Sequence, residues 1–494
     1  MVRADRILVL AALLLLGGCA AVGPDYSLPK HAVVNAPEAQ GRFASRQDAA
    51  NSAEPAVDWW RLYDDQRLAR LVQQAAVANT DLRVAEANLE RSHALLAEAE
   101  TARQINGSAN FDTSYVQQSA EANLSHIKPP EHQIANTGIA INYDLDLFGG
   151  IRRGIEAATA ADEAAIAARD LVRVNVAADT TRAYADICNT GNELISARRT
   201  VAIQKQTIAF TRTLVTNGRA ASFDIDRQQG LYQEFQARIP LLQARQINAA
   251  YRLTTLLGQT PESYDRSLLE CRKPLRLLSP IPIGDGRDLL RRRPDVRAAE
   301  RRLAASTATI GVATAELYPD VKIGASIGTQ GAVSDLFGPL TNRFGVGPTI
   351  SWNVNTNVAR ARIGVAQAQT KADLAAFDRT VLTALREIES ALTNYAYGLD
   401  RLKNLKNARD RAAKVARDAH QLWQGGSTNA LTSLDADRSL AAAEQAYAAG
   451  QTDVSISQIA IFFALGGGWQ SEPAAPAPNT ATRREADLRR SRTG

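Results

Sequence analysis

The thiol of Cys19 has the most specific chemical signature in the sequence. Arg3 and Arg6 precede an apolar run at residues 7–16, which is followed by two glycines and then the cysteine. Basic residues, a short apolar run and small residues directly before a cysteine predict a lipoprotein signal peptide at residues 1–18 and a lipid-modified Cys19. An ordinary signal peptide with an incidental cysteine is the alternative. Because alanine and not aspartate follows the cysteine, the lipoprotein interpretation favours the outer membrane of a Gram-negative bacterium.

Two further cysteines, Cys188 and Cys271, lie outside any metal-binding or redox spacing. In an oxidising periplasm they either pair as a disulfide or remain two free, buried thiols. A disulfide would join the middle of a long predicted helix to the segment that follows the next helix. The sequence leaves both alternatives open.

The other reactive side chains form no catalytic constellation. The five histidines do not fall at the spacing of a metal site or a catalytic triad, and His126 and His132 are expected to be solvated on a loop. Three glycines at residues 466–468 lack the strand, helix and lysine of a phosphate-binding loop. We therefore expect no enzyme, no cofactor and no metal site. The histidines are His31, His93, His126, His132 and His420.

Composition narrows the class of protein further. Of the 494 residues, 45% are hydrophobic but only 6% are aromatic, which indicates closely packed alanine-rich helices instead of bulky cores. A net charge of +5 is too small at this length to indicate a nucleic-acid partner. No segment after the signal peptide reads as a transmembrane helix. Membrane insertion would therefore have to use strands.

The elements that position any functional residue meet at residues 147–150. Before this junction apolar and polar residues alternate from Ile139 to Leu147, the pattern of a strand with one apolar and one polar face. After it, residues 151–217 contain no proline and are rich in alanine and arginine, which predicts one continuous helix. An amphipathic strand leading into so long a helix suggests a membrane barrel that continues into a helical tube.

The chain contains an internal repeat. Residues 81–89 recur as residues 295–303, about 214 positions later, and two further segments recur about 208 positions later. Each half therefore reads as helix, strand, strand, long helix and helix. The change of offset falls between the strands, where loops tolerate insertions.

Four strands of about ten residues match the length that a tilted strand needs to cross a bilayer. Four strands alone leave two unpaired edges, which lipid cannot satisfy, so a membrane barrel requires several chains. A soluble antiparallel sheet with one wet face is the alternative. The predicted strands lie near residues 105–116, 139–147, 321–328 and 344–352.

Long helices return on themselves at two tight turns. The second long helix is predicted at residues 360–423, with apolar residues at spacings of three and four that form a coiled-coil seam. Shorter helices are predicted to return at residues 223–257, where Pro240 should bend the helix, and at residues 431–463. Glycines in the turns permit the left-handed conformation, and Ser222, Thr428 or Asn429 are candidate N-caps.

Four stretches of the chain resemble the outer-membrane factor (TolC-like) family of efflux channels, in its lipoprotein branch of the NodT or OprM type. The resemblance extends from Cys19 to about Trp469. One motif differs: residues 352–358 read WNVNTNV where the family often has WPLFDGG. The stretches are residues 19–26 (CAAVGPDY), 58–63 (DWWRLY), 143–149 (YDLDLFG) and 289–300 (LLRRRPDVRAAE).

The resemblance implies an α+β membrane protein. It implies a homotrimer with four strands per chain in one transmembrane β-barrel, which continues into a long α-helical coiled-coil barrel in the periplasm. It also implies docking on a periplasmic adaptor that serves an inner-membrane transporter, commonly of the resistance-nodulation-division type. The predicted domains are a signal peptide (1–18), an anchor and equatorial segment (19–80), a first repeat (81–265), an equatorial linker (266–286), a second repeat (287–468) and a disordered tail (469–494).

Two sites follow from the resemblance. Leu431, Asp435 and Arg438 match the family's periplasmic aperture, as an apolar constriction, an acidic gate residue and its basic partner; a carboxylate that merely favours a helix N-terminus is the alternative. The second site is the adaptor-docking surface at the two turns, although these turns could simply close the hairpins. It comprises Gly218, Arg219, Ser222, Phe223, Gly426, Ser427 and Thr428.

The leading hypothesis is a passive exit duct of a tripartite efflux system in the outer membrane. Its energy would come from the inner-membrane partner, and its closed state would be held at the aperture. An autonomous diffusion porin, a type I secretion exit duct and a lipid-anchored coiled coil without a pore are the alternatives.

Overall fold

The structure is a computed structural model that describes residues 21–45, 50–117, 119–121, 124, 126–277 and 279–467. The predicted signal peptide, the lipid-modified Cys19 and the tail at residues 469–494 lie outside the described residues. The chain divides into two compact units. The first unit consists of residues up to Lys30, Asn88–Ile166 and Ala298–Phe377; the second consists of His31–Ala87, Ala167–Arg297 and the residues from Asp378 onward.

The order of the elements repeats in the two halves of the chain, as the internal repeat predicts. Each half contains a helix, two long strands, a long helix and a shorter helix. The α-helices are α1 (Pro37–Gln40), α2 (Gln66–Ala78), α3 (Thr80–Thr101), α4 (Gly150–Thr216), α5 (Ser222–Leu256), α6 (Gly286–Arg292), α7 (Pro294–Ala315), α8 (Asn357–Gln424) and α9 (Ala430–Ala464). The strands are β1 (Ala50–Asn51), β2 (Asn106–Val116), β3 (His132–Asp144), β4 (Ile281–Pro282), β5 (Asp320–Ala332) and β6 (Asn342–Ser351).

The two long helices form where the sequence contains neither proline nor a cluster of turn residues. Helix α4 has 67 residues and α8 has 68. Helix α8 begins three residues earlier than predicted. The three alternate asparagines at residues 353, 355 and 357 form the turns that lead into the helix. The backbone N–H groups of Asn355 and Asn357 donate to the Oδ1 atoms of Asn353 and Asn355, each at 3.2 Å. No described helix has an 18-residue stretch apolar enough to span a bilayer.

The first unit contains one antiparallel sheet with the strand order β2-β3-β5-β6. Successive side chains point to opposite faces, so residues that pair across the sheet share a face. One face carries the pairs Ile139–Ile327 and Ile327–Phe344, and these three side chains are exposed. The other face carries polar residues such as Asn136, which pairs with Asp112. Strands β2 and β6 are the edges of this sheet in a single chain.

At the first junction between strand and helix, one side chain caps the long helix. The Asp146 carboxylate accepts the backbone N–H groups of Ile151 at 2.8 Å and Arg152 at 2.9 Å, which would otherwise lack partners at the start of α4. Gly149 adopts a φ of +77°, and a Cβ there would lie 2.4 Å from the Cβ of Ala21. Only glycine therefore fits where the N-terminal segment crosses the junction.

The second unit has an apolar core, and two buried arginines, Arg292 and Arg293, lie beside it. Trp59 is 1% exposed and stacks on Phe462 at a centroid distance of 4.7 Å. Beside this core the Arg293 guanidinium contacts three helices: it bonds to Asp295 in α7, to Glu387 in α8 and to the carbonyl of Ala464 at the end of α9. Arg292 donates to the next carbonyl, that of Leu465, at 2.9 Å. The two arginines thus satisfy carbonyls at the C-terminal end of α9.

Cys188 and Cys271 are joined by a disulfide in the second unit. Their sequence separation is 83 residues and their Cα atoms lie 4.6 Å apart. The bond links α4 to the segment after α5, where Gly191 lies against the same segment: a Cβ on Gly191 would be 2.1 Å from the carbonyl oxygen of Cys271.

Replacing Cys188 by serine is expected to lower the free energy of unfolding by about 2–4 kcal/mol, because the unfolded chain regains the freedom that a cross-link over a long loop removes. Thermal unfolding followed by circular dichroism measures this change. Adding reductant to the wild type should produce a similar loss, whereas the serine variant should not respond. Equal stability of the two proteins without reductant would contradict the prediction.

Candidate functional site

Both helical hairpins of the second unit end in the same kind of turn. At the end of α4, Gly218 has a φ of +65° and the N–H of Arg219 donates to the carbonyl of Leu214 at 2.8 Å. At the end of α8, Gly426 has a φ of +74° and the N–H of Ser427 donates to the carbonyl of Leu422, also at 2.8 Å. These are the bonds that end a helix at a left-handed glycine. The turns therefore carry Arg219 and Ser427 at equivalent positions.

The helices that return from the turns are capped differently. Asn429 is the N-cap of α9, and its Oδ1 accepts the N–H of Thr432 at 2.9 Å. Before α5 the N-cap position holds Ala221, and the side chain of Asp224 reaches back to its N–H at 3.3 Å. Ser222 is therefore the first residue of the helix and not its cap, since a carboxylate three residues beyond the N-cap supplies the acceptor.

The predicted docking residues are mostly open to solvent. Phe223 is 64% exposed, and an atom added at Cβ of either turn glycine would meet nothing within 4 Å. Thr428 alone is half-buried. A large exposed aromatic ring beside a bare backbone turn is typical of a contact surface for another protein. The exposed members are Gly218, Arg219, Ser222, Phe223, Gly426 and Ser427.

The three predicted gate residues lie on the first three turns of α9. Leu431 is 46% exposed, and the Asp435 side chain is 75% exposed. Arg438 Nη1 lies 4.0 Å from Asp435 Oδ1, in the i,i+3 relation. A contact at this distance between exposed groups stabilises the helix little. The Asp435 carboxylate thus remains available to a cation from outside the chain.

Sequence reasoning missed a difference between the two hairpins. Near the first turn, the buried amide of Gln204 donates to the backbone carbonyl of Gln228 at 2.9 Å and to its side-chain oxygen at 3.0 Å. Near the second turn the corresponding contact is a small apolar cluster in which Ala416, Ala419 and Ala436 are buried. The sequence contains a signal for this difference, because the polar residues Gln204, Thr207 and Thr211 follow helical spacing. A search for an apolar seam does not detect such polar positions.

A further polar contact lies in the second hairpin, next to the gate residues. His420 of α8 contacts Ser433 of α9, with 3.2 Å between Nδ1 and Oγ, and its ring lies 5.5 Å from that of Trp423. Among the described residues no group of three or more His, Cys, Asp or Glu side chains could hold a metal ion. What the tips present is a pair of exposed turns and, on each returning helix, an acid-base pair in the i,i+3 relation: Asp224 with Arg227 on α5 and Asp435 with Arg438 on α9.

Comparison with known proteins identifies the family. The sequence pattern of outer membrane efflux proteins matches residues 71–259 and 286–467. The chain belongs to the outer membrane efflux protein family. Nodulation protein T of Rhizobium leguminosarum bv. trifolii is 27% identical over 462 residues, which cover 92% of this chain and 96% of that protein. Outer membrane protein OprJ of Pseudomonas aeruginosa is 29% identical over 468 residues, 92% and 94% of the two chains.

A solved structure extends the likeness to the fold. The outer-membrane channel OprN superposes with a TM-score of 0.83 at 32% sequence identity, over 92% of this chain and all of that one. The predicted α+β, TolC-like fold is confirmed at this level, as is an outer-membrane location in a Gram-negative bacterium with a periplasmic helical part. The family consists of channel proteins and not of enzymes.

Proposed function

We propose that this outer membrane efflux protein is the passive exit duct of a tripartite pump, assembled as a homotrimer. The four-stranded sheet with one exposed apolar face and two open edges carries this proposal. The edge strands need partners in a membrane, and three copies supply twelve strands, more than the eight of the smallest outer-membrane barrels. The apolar face would meet lipid and the polar face would line the conduit. A lipid-modified Cys19 would anchor each chain.

Purified full-length protein in a planar lipid bilayer tests whether a conduit exists. A trimeric duct whose aperture rests closed should give discrete current steps of low conductance. A lipid-anchored coiled coil without a pore would give none. Absence of steps from protein that is shown to be trimeric would contradict the proposal.

The names of two relatives suggest which partner proteins this chain would have. Two relatives from Pseudomonas putida carry the names of outer membrane proteins of solvent and toluene efflux pumps. By analogy, this chain would receive its cargo through a periplasmic adaptor from an inner-membrane transporter of the resistance-nodulation-division type. The exposed turns around Arg219 and Ser427 would form the contact with the adaptor.

Substituting glutamate at Arg219 and Ser427 together is expected to reduce adaptor binding on the order of tenfold, because charge and hydrogen-bonding capacity change at both exposed turns. Site-specific crosslinking to the adaptor measures the effect. The matched control is Arg198→Glu, an exposed position on α4 that is about 20 residues before the turn. Equal crosslinking of the double variant and the control would show that the turns are not the docking surface.

We further propose that the aperture opens by movement of the second hairpin. Hydrogen bonds such as that from Gln204 to Gln228 are directional and fix the register of the first hairpin. Near the second turn the helices meet through the small side chains of Ala416, Ala419 and Ala436, which would permit one helix to shift on the other once the contact between His420 and Ser433 is released. Leu431, Asp435 and Arg438 lie on the returning helix of this second hairpin. In a trimer, three Asp435 carboxylates would form a ring, which interchain pairs with Arg438 can lock.

A further inference from the structure

A basic hollow of about 430 Å³ lies in the first unit, next to the end of the sheet. It is formed by the N-terminal segment, the loop after α3, the first turns of α4 and the middle of α7. Three arginines point their side chains toward it, together with two glutamates and one tyrosine. The charged and polar lining residues are Tyr26, Arg103, Arg152, Glu156, Glu163 and Arg301.

Most of the charges around this basic hollow are already paired. Arg301 bonds to Glu163 at 3.1 Å and to Glu300 at 2.7 Å, and its guanidinium lies 5.6 Å from the centre of the Tyr26 ring. The Tyr26 hydroxyl donates to Glu300 at 3.3 Å. Burial, reinforced by the Glu300 charge, raises the pKa of Tyr26 to about 12, so this hydroxyl remains a donor. These contacts leave Arg301 fixed in place.

Arg103 and Arg152 are different. Both are exposed, and neither has a carboxylate within 4 Å among the described residues. The remaining acid of the lining, Glu156, is bonded to Arg153 at 2.7 Å, so it does not neutralise them. The hollow therefore has two guanidinium groups whose donors are free for an external acceptor. Guanidinium donors match the oxygens of a phosphate group in geometry and charge.

The position of the basic hollow in the fold indicates which kind of phosphate group would lie near it. Arg103 lies between the end of α3 and the start of β2, and Arg152 lies in the first turn of α4 after β3. Both are therefore at the level where strands change to helices, near the exposed Ile105 and the stacked rings of Phe148 and Tyr318. Exposed aromatic and apolar residues at the end of membrane strands mark the headgroup region. The phosphate-bearing group expected at this level is a phospholipid headgroup.

We propose that the basic hollow binds the phosphate of an anionic phospholipid from the periplasmic leaflet of the outer membrane. Arg103 and Arg152 donate to the phosphate oxygens, while the acyl chains lie along the apolar face of the sheet. Tyr26 places the segment that follows Cys19 at the edge of the same hollow, so the bound lipid would also hold that segment. The inference rests on the proposed insertion of the sheet into the outer membrane and is independent of the gate and the adaptor; its test measures lipid binding, whereas bilayer conductance tests the duct itself.

Native mass spectrometry of the full-length protein in detergent, titrated with phosphatidylglycerol, tests this site. The Arg103→Gln, Arg152→Gln double variant is expected to bind the lipid on the order of tenfold more weakly, since two charge-assisted hydrogen bonds are lost. Lysine at both positions should restore part of the affinity because it keeps the charge. Arg91→Gln, an exposed change on α3 away from the hollow, is the matched control and should bind as the wild type does.

Two further ligands distinguish binding of the lipid phosphate from binding of the acyl chains alone and from binding of free phosphate. Diacylglycerol, which lacks the phosphate, should bind at least about tenfold more weakly than phosphatidylglycerol. Inorganic phosphate should not displace the lipid at equal concentration, since it lacks the acyl chains. Unchanged lipid binding by the glutamine double variant, or equal binding of diacylglycerol, would overturn the proposal. Displacement by inorganic phosphate at equal concentration would overturn it as well, because the hollow would then be a site for free phosphate.

Discussion

Replacing both Asp435 and Arg438 by alanine is expected to shift the duct from closed to open by on the order of tenfold to a hundredfold. Each exposed ion pair contributes up to about 1 kcal/mol, and a trimer would lose three such pairs between neighbouring chains. The weak contact of 4.0 Å within one chain supports this interpretation, because it leaves the carboxylate free for a neighbour's cation. Single-channel recording in planar bilayers measures the shift as a higher resting conductance.

Asp437 provides the control for this prediction. It lies two residues beyond Asp435 on α9, and is thus on another side of the helix, so Asp437→Ala should leave the resting conductance unchanged. A charge reversal of Asp435 alone, to arginine, should open the duct at least as far as the double variant, because like charges then meet around the axis. An unchanged resting conductance in the double variant would show that Asp435 only favours the start of its helix.

Replacing Arg293 by alanine is expected to lower the free energy of unfolding by about 3–5 kcal/mol. The Arg293 side chain is 8% exposed and donates to both oxygens of Asp295, at 3.0 and 2.7 Å, and to Glu387 at 2.8 Å. Although burial alone would lower the pKa of Arg293, these two carboxylates outweigh it and raise that pKa above its ordinary value. Without the guanidinium, the carboxylates repel each other and the carbonyl of Ala464 loses its donor.

Arg291 is the matched control, because it lies two residues earlier and its side chain is 74% exposed. Its contact with Asp288 at 3.3 Å is a surface ion pair, so Arg291→Ala should change stability by less than about 0.5 kcal/mol. Denaturant unfolding of the full-length protein in detergent compares the two variants. Equal stabilities would show that the Arg293 network does not hold α7, α8 and α9 together.

The long helices and the strands could be predicted from the sequence because their signals are local. The absence of proline marked α4 to within one residue at each end. Alternation of apolar and polar residues marked β3 but not its bounds, since the strand runs from His132 to Asp144 and so includes a histidine that was expected on a loop. The turn glycines were also recognisable, since Gly218 and Gly426 adopt the left-handed conformation that glycine permits. Local patterns were sufficient wherever one element determines its own conformation.

The contacts between distant residues could not be predicted in this way. Glu387 lies 94 positions from Arg293 in the chain, and no spacing rule connects them. The N-cap of α5 was missed for a related reason: Ser222 looked like a cap, but Asp224 supplies the acceptor from inside the helix. The basic hollow is likewise built from four separate segments, so its charge excess emerges only when the fold brings Arg103 and Arg152 together.

Export from living cells tests the central claim of a pump-driven exit duct most directly. Retention of a panel of fluorescent dyes, both cationic and anionic, is measured in the native host after deletion of this chain and after its restoration. With the adaptor present, restoring the chain should lower the retention of at least one dye; with the adaptor deleted, restoration should have no effect. Equal loss of dye with and without the adaptor would identify an autonomous porin and contradict the account, as would unchanged retention of every dye when the adaptor is present.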